Sequence, residues 1–281
     1  MGVKRVPPRL YAILAREADY GVVFRRGPSR HVAAIGWNTK DDSFELGQWL
    51  KGRIYERRSD LSPDGRHLIY FAMDGMWHKR DGSWTAISRA PYLTALMYYG
   101  WGNCWGGGGV FDGNTRFWLD GHPLDGAQKF TDCGLHRQDD LPSDLGDEYY
   151  LEWKKLVRDG WYAAEYRKEI GRPHRVFTKQ VRLGWHVEKY CFYEGEDRPN
   201  NAVYWERHRL VGPDTEIDGA DWEWADVDGR DVVYAARGAL WRMHVGENSA
   251  DTPRLLKDFT DMQFEARTAP YQGVPAGDRG Q

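Results

Sequence analysis

Apolar and aromatic residues come in short runs divided by clusters of Gly, Asp, Asn and Pro, and hardly anywhere at the three-and-four spacing of a helix face. The runs that read as strands are Arg9 to Leu14, Gly21 to Arg25, His31 to Trp37, Arg53 to Glu56, His67 to Ala72, Thr94 to Tyr99, Arg116 to Leu119, Arg175 to Val181, Trp185 to Phe192, Ala202 to Leu210, Asp231 to Ala235 and Leu240 to Val245. Their β-branched and aromatic side chains suit a pleated, half-buried surface. Between them stand turn formers such as Ser62-Pro63-Asp64-Gly65, Asp112-Gly113-Asn114, Asp228-Gly229 and Arg237-Gly238, where Gly supplies positive φ and Pro presets the first turn position. Only Glu148 to Val157 passes as a helix, and its Tyr149, Tyr150 and Trp153 fit a strand equally well. The pattern predicts an all-β protein.

Asp64-Gly65-Arg66-His67-Leu68-Ile69-Tyr70-Phe71-Ala72 is echoed by Asp228-Gly229-Arg230-Asp231-Val232-Val233-Tyr234-Ala235-Ala236. Each is followed by a turn Gly and a short apolar piece with Trp, Gly75-Met76-Trp77 and Gly238-Ala239-Leu240-Trp241. Both read as turn, strand, turn, strand. Weaker units turn at Asp112-Gly113-Asn114 and, between Val176 and Phe192, at Leu183-Gly184. The segment Leu61-Ser62-Pro63-Asp64-Gly65-Arg66-His67-Leu68-Ile69-Tyr70 resembles the SPDG-type repeat of TolB and other WD40-like β-propellers. That resemblance covers a small part of the chain. It implies that the Ser-Pro-Asp-Gly turn joins two strands of a blade, with the Tyr strand inside the sheet stack, and it supplies no activity. At about 40–45 residues per blade, the expectation is a single β-propeller of about five to six degenerate four-stranded antiparallel blades over residues 1–268. The Gly- and Asp-rich stretch at about 120–147 reads as an insertion, and 269–281 as a flexible tail.

The 281 residues carry 39 Lys and Arg against 42 Asp and Glu, a net charge of −3. That balance argues against a general nucleic-acid coat. With 41% hydrophobic residues the chain can bury a core, and it has no apolar run long enough to span a bilayer as a helix. The basic start, Met1 to Arg9, lacks the apolar stretch of a secretory leader, so a cytoplasmic location is expected. Cys104, Cys133 and Cys191 are widely spaced and read as three reduced thiols.

Candidate chemistry is sparse. Gly106-Gly107-Gly108-Gly109 lacks the Gly-Lys-Ser/Thr of a phosphate loop and reads either as backbone passing close beside Trp101 and Trp105 or as a mobile loop at one face. No Gly-x-Ser-x-Gly elbow is present. Cys133 with His136 is an incomplete ligand set, so neither metal nor cofactor is expected. The carboxylates that stand out are Glu56, Asp60, Asp112, Asp139, Asp140, Asp221, Glu223 and Asp228. With 14 Trp and 16 Tyr, flat aromatic faces are abundant. Trp101, Trp105, Trp222 and Trp224 fall at expected turns and are candidate ligand platforms. Trp37, Trp77, Trp118, Trp205 and Trp241 are expected to pack between blades. Arg25, Arg26 and Arg30 surround one turn, and Arg53, Arg57 and Arg58 form a second basic cluster. Strand alternation would put Arg53, Tyr55 and Arg57 on one face and Ile54, Glu56 and Arg58 on the other, with Glu56 or Asp60 as ion-pair partner. Arg57, Arg58 and Asp60 therefore join the Trp residues as candidate ligand-binding positions.

These observations favour a non-catalytic binding module presenting rim loops to a protein partner or a small ligand. A carbohydrate-active enzyme, with a carboxylate pair and a Trp platform in the channel, is the alternative. Sequence-specific nucleic-acid binding through the Arg clusters is a third reading, with affinity falling steeply with salt.

Overall fold

The computed structural model describes residues 6–27, 30–76, 82–124, 126–140, 150–165, 173–193 and 204–272. The chain is all-β, with five sheets and, among the described residues, one short helix. No helix among the described residues is long and apolar enough to cross a membrane.

Four of the sheets are built around strands that follow one another in the chain. The first contains β1 (Arg9–Leu14), β2 (Tyr20–Arg26), β3 (His31–Asn38) and β4 (Ser43–Lys51) in that order. The second runs from β5 (Arg53–Leu61) through β6 (His67–Met73) and β7 (Ser83–Arg89) to β8 (Ala95–Gly100). The third joins β9 (Gly109–Phe111) to β10 (Arg116–Leu119). Two short strands then follow: β11 (Gln128–Lys129) extends the second sheet beside β8, and β12 (His136–Gln138) lies parallel to β10. The stretch expected as a loop or insertion poor in strand formers thus lends an edge to each of two sheets. After α1 (Leu151–Arg158), the fourth sheet orders β13 (Tyr162–Ala164), β14 (Arg175–Arg182), β15 (Trp185–Tyr193), β16 (Tyr204–Val211) and β17 (Glu216–Gly219). The fifth orders β18 (Trp222–Asp228), β19 (Asp231–Ala236), β20 (Ala239–His244) and β21 (Arg254–Asp258).

The chain divides into two compact units, Ala12–Lys155 with residues from Gln263 onward, and Leu156–Met262 with residues up to Tyr11. In the first, β9 packs on β5 and β6, and Ile69, Ile87, Met97, Tyr99, Phe111, Phe117, Leu119 and Leu135 form a shared core. In the second, β18 packs against β14, β15 and β16.

The Ser62-Pro63-Asp64-Gly65 turn joins β5 to β6 and is closed on itself. The Ser62 hydroxyl donates to Asp64 Oδ1 at 2.6 Å and accepts from the His67 amide at 2.9 Å, and the Arg66 amide donates to Asp64 Oδ1 at 3.0 Å. Gly65, at φ +74°, also lies where a side chain would press on the Tyr20 ring. Tyr70, on the strand that follows, is buried and donates to the Leu93 carbonyl at 2.5 Å. Asp228-Gly229 likewise joins β18 to β19, with Gly229 at φ +62°. The hairpins expected at Gly113 and Gly184 are present, at φ +79° and +81°.

The start of the stretch read as a tail, up to Gln272, makes contacts with the sheets. Ala269 is buried, Gln48 donates to the Arg267 carbonyl at 2.9 Å, and the Tyr271 hydroxyl donates to the Thr94 carbonyl at 2.6 Å. An aromatic residue with a hydrogen-bonding tip anchors what composition alone reads as loose. Residues 273–281 and Trp77 lie outside the described residues.

Candidate functional site

Five of the seven candidate residues lie in the Ala12–Lys155 unit, and three of them, Arg58, Trp101 and Trp105, come together at the loop from Trp101 to Gly109. The convergence begins with an irregularity in β5. Tyr55 pairs with Phe71 and Asp60 with Ile69, so five steps along β5 are matched by two along β6. Such a bulge bends its strand and re-aims its side chains. The expected two-face alternation fails here: the Arg58 guanidinium lies over both the Tyr55 ring, at 5.9 Å, and the Phe71 ring, at 5.1 Å. Two α1 side chains hold the bulge, Glu152 in an ion pair with Arg57 at 3.0 Å and Lys155 donating to the Ser59 carbonyl. The expected partners of this Arg cluster were Glu56 or Asp60; Arg57 pairs with Glu152 on α1. Glu56 instead pairs with Arg26 at 3.5 Å, and buried Asp60 accepts the Phe111 amide at 2.7 Å, which ties β5 to β9.

The loop itself is held at nearly every residue. Trp101 is buried against Phe71 and Met73, and its indole N–H donates to Thr85 Oγ1 at 2.8 Å. The same oxygen accepts the Gly108 amide at 2.8 Å. Ser83 donates to the Asn103 carbonyl at 2.6 Å, while the Asn103 side chain donates to the Trp101 carbonyl and accepts the Trp105 amide, both at 3.0 Å. Arg58 completes the clamp, its Nη1 donating to the carbonyls of Cys104 at 2.9 Å and Gly106 at 3.0 Å. These two carbonyls straddle residue 105.

The glycine run is explained by close approach. A Cβ on Gly107 would overlap the Phe71 ring, one on Gly108 the Arg58 carbonyl, and one on Gly109 the Trp118 carbonyl. Gly107 and Gly108 also sit at φ +103° and +91°, where other residues are strained. Asp120 closes the loop through main-chain bonds to Gly107 and Gly108. Burial pushes its carboxyl pKa up, and Arg58 and Lys154 pull it back. Against this scaffold Trp105 is 88% exposed.

Trp222 and Trp224 are placed otherwise. Expected at turns, both lie in β18 and are buried, at 5% and 2% exposure. The Trp222 ring stacks on Tyr234 at 4.2 Å and 18°, and Trp224 lies 6.4 Å from Tyr11. Neither is a platform. The sequence reading misses β18 because Asp221, Glu223 and Asp226 interrupt its apolar residues.

It also misses a buried ionic cluster on β15 and β16. Lys189 Nζ lies 3.2 Å from Glu206 and 4.9 Å from the Trp161 ring, and the His208 Nε2 edge lies 3.2 Å from the same carboxylate. His208 Nδ1 faces the Trp222 carbonyl at 3.0 Å, and burial pushes its pKa down. The available signal was Glu206-x-His208, spaced by two so that both fall on one face of β16, with His208 opposite Lys189 on β15.

No family model and no curated protein matches this chain. Among solved structures, an uncharacterized protein from Listeria monocytogenes is similar at 10% identity over 90% of this chain and 67% of its own, with a TM-score of 0.26. A likeness that weak says nothing of function. Among the described residues no group of His, Cys, Asp and Glu is arranged to hold a metal ion.

Proposed function

We propose that this protein is a non-catalytic binding module of β-propeller type that presents the Trp105 loop to a protein partner. The propeller reading is supported by four sheets built mainly from antiparallel strands taken in chain order. The observation that carries the functional reading is the contrast at Trp105. A tryptophan offers on the order of 200 Å² of surface, and here it stands in solvent on a loop that Arg58, Asn103 and Thr85 hold still. A rigid, exposed indole loses little conformational entropy on docking, which is why Trp recurs among residues that dominate interfaces.

The enzymatic alternative has less support, because six of the eight carboxylates singled out for it are engaged. Asp112 pairs with Arg116 at 3.3 Å, Asp221 with Arg237 at 3.0 Å and Asp228 with Arg242 at 2.8 Å, while Glu223 accepts the Leu10 amide at 3.2 Å. The test is affinity capture from host lysate with the tagged full-length protein and with Trp105→Ala, after a high-salt wash. A partner retained by the parent and lost by the variant, with unchanged circular dichroism, supports the reading. Equal retention by both, or none by either, overturns it.

A further inference from the structure

The fifth sheet carries a cleft that the Trp105 reading does not use. Across one of its faces Tyr234, Trp241 and Leu255 are successive register partners on β19, β20 and β21. The two rings are nearly parallel, 6.5 Å apart at 11°. Next to this row come Ala236 and Ala239, paired with each other at the end of the hairpin. Two methyl groups in place of large side chains leave a hollow of about 550 Å³ over the sheet, floored by Trp241 and Tyr234. Buried Trp222 stacks behind Tyr234 and fixes its ring.

The rim is polar and carries both signs of charge. Asp221 and Arg237 form an exposed pair at 3.0 Å, and Asp258 lies beside Ala239 at the end of β21. Burial and the Asp221 carboxylate push the Tyr234 phenol up to about 12, so at neutral pH it keeps its proton and can donate. Arg237 sits at φ +54°, a left-handed turn position that Gly would occupy without strain. An anionic ligand would meet two carboxylates, and a cationic one would have to compete with Arg237. A ligand with an apolar face and several neutral hydroxyls, each able to donate and accept, satisfies the aromatic floor and both signs of rim together. We propose that this cleft is a carbohydrate-binding site, with the C–H face of a neutral pyranose on Trp241 and its hydroxyls on Asp221, Arg237 and Asp258.

The test is calorimetric titration of the full-length protein with maltohexaose, cellohexaose, xylohexaose and chitohexaose, and with tetramethylammonium as a cationic probe. Saturable binding of at least one hexasaccharide is expected, weakened about tenfold or more by Trp241→Ala. Arg237→Gly guards against misfolding: it relaxes the turn, so Tm should hold or rise while sugar affinity falls about tenfold. Trp105→Ala should leave sugar binding unchanged, which separates this site from the docking loop. Silence across all four sugars, affinity unchanged in both cleft variants, or saturable tetramethylammonium binding that Trp241→Ala abolishes would each overturn the proposal.

Discussion

Replacing Arg58 by Met keeps most of the side-chain stem beside Phe71 while removing both donors to the loop. A hydrogen bond from a charged group contributes about 1.5–3 kcal/mol, with the lower end apt for the solvent-facing bond to Cys104. The part-buried bond to Gly106 and the cation's attraction to the Tyr55 and Phe71 rings bring the total to about 3 kcal/mol. The loop has its own attachments at Ser83, Asn103 and Thr85, so this loss appears first as local opening rather than global unfolding. A change of about 3 kcal/mol in an opening equilibrium is roughly a hundredfold in exchange rate. The amides of Gly107 and Gly108, bonded to the Asp120 carbonyl and to Thr85, are the reporters. Hydrogen exchange followed by mass spectrometry should show these amides accelerated about a hundredfold, with β6 and β7 unchanged. Acceleration of less than about threefold would refute the claim that Arg58 rigidifies Trp105.

Glu206→Gln leaves the Lys189 ammonium buried beside an uncharged amide and should cost about 3 kcal/mol or more in urea denaturation. The double change Lys189→Met with Glu206→Met should recover most of that loss, since a pair replaced by apolar groups is close to neutral. A single-variant cost under about 1 kcal/mol would contradict the buried pair. Burial lowers the pKa of His208 and of His67, so between their native values and the unfolded value of about 6.5 the unfolded chain binds more protons. Stability present at neutral pH is therefore lost as pH falls through that window. His208→Gln should flatten the urea midpoint between about pH 7.5 and 5 relative to the parent, and an unaltered slope would count against it. Gly108→Ala should cost about 3 kcal/mol or more, because strain at φ +91° adds to overlap with the Arg58 carbonyl. Gly113→Ala, at φ +79° with nothing within 4 Å, should cost only about 1 kcal/mol; equal thermal shifts would dismiss the close-approach argument.

Strands with both faces buried or a clean alternation were legible in sequence, as β3 and β6 illustrate: their apolar runs are continuous and bounded by turn residues. Two strands whose small or polar residues break both patterns were not. β4 alternates Glu45, Gly47 and Gln48 among its apolar residues, and β7 is mostly Ser, Thr and Ala. Ser83, Thr85 and Ser88 are all buried there, bonding to main chain or to Trp101, a role that local composition does not display. For the site, the tetraglycine run and the neighbouring Trp residues pointed to close backbone approach. The bulge that brings Arg58 onto the loop depends on pairing with β6, which is separated from it by a turn and has no local signature. Trp241 was read as packing because blade-to-blade packing in a propeller consumes large aromatics; the hollow beside it lies where Ala236 and Ala239 face each other.

The segment from Gln263 to Gln272 returns to the unit that began at Ala12. Gln48 there serves two parts of the chain at once: its oxygen accepts the amides of Leu93 and Thr94 while its nitrogen donates to the Arg267 carbonyl. During synthesis, those acceptors and donors are made more than a hundred residues before their last partners. The bonds of Gln48 and Thr94 are therefore complete only after Gln272 has been added, however early the sheets of this unit begin to pair. A chain stopped short of Arg267 leaves the Gln48 nitrogen and the Thr94 carbonyl without these partners, and the order of manufacture makes the stretch from Gln263 to Gln272 the latch on work begun near the start.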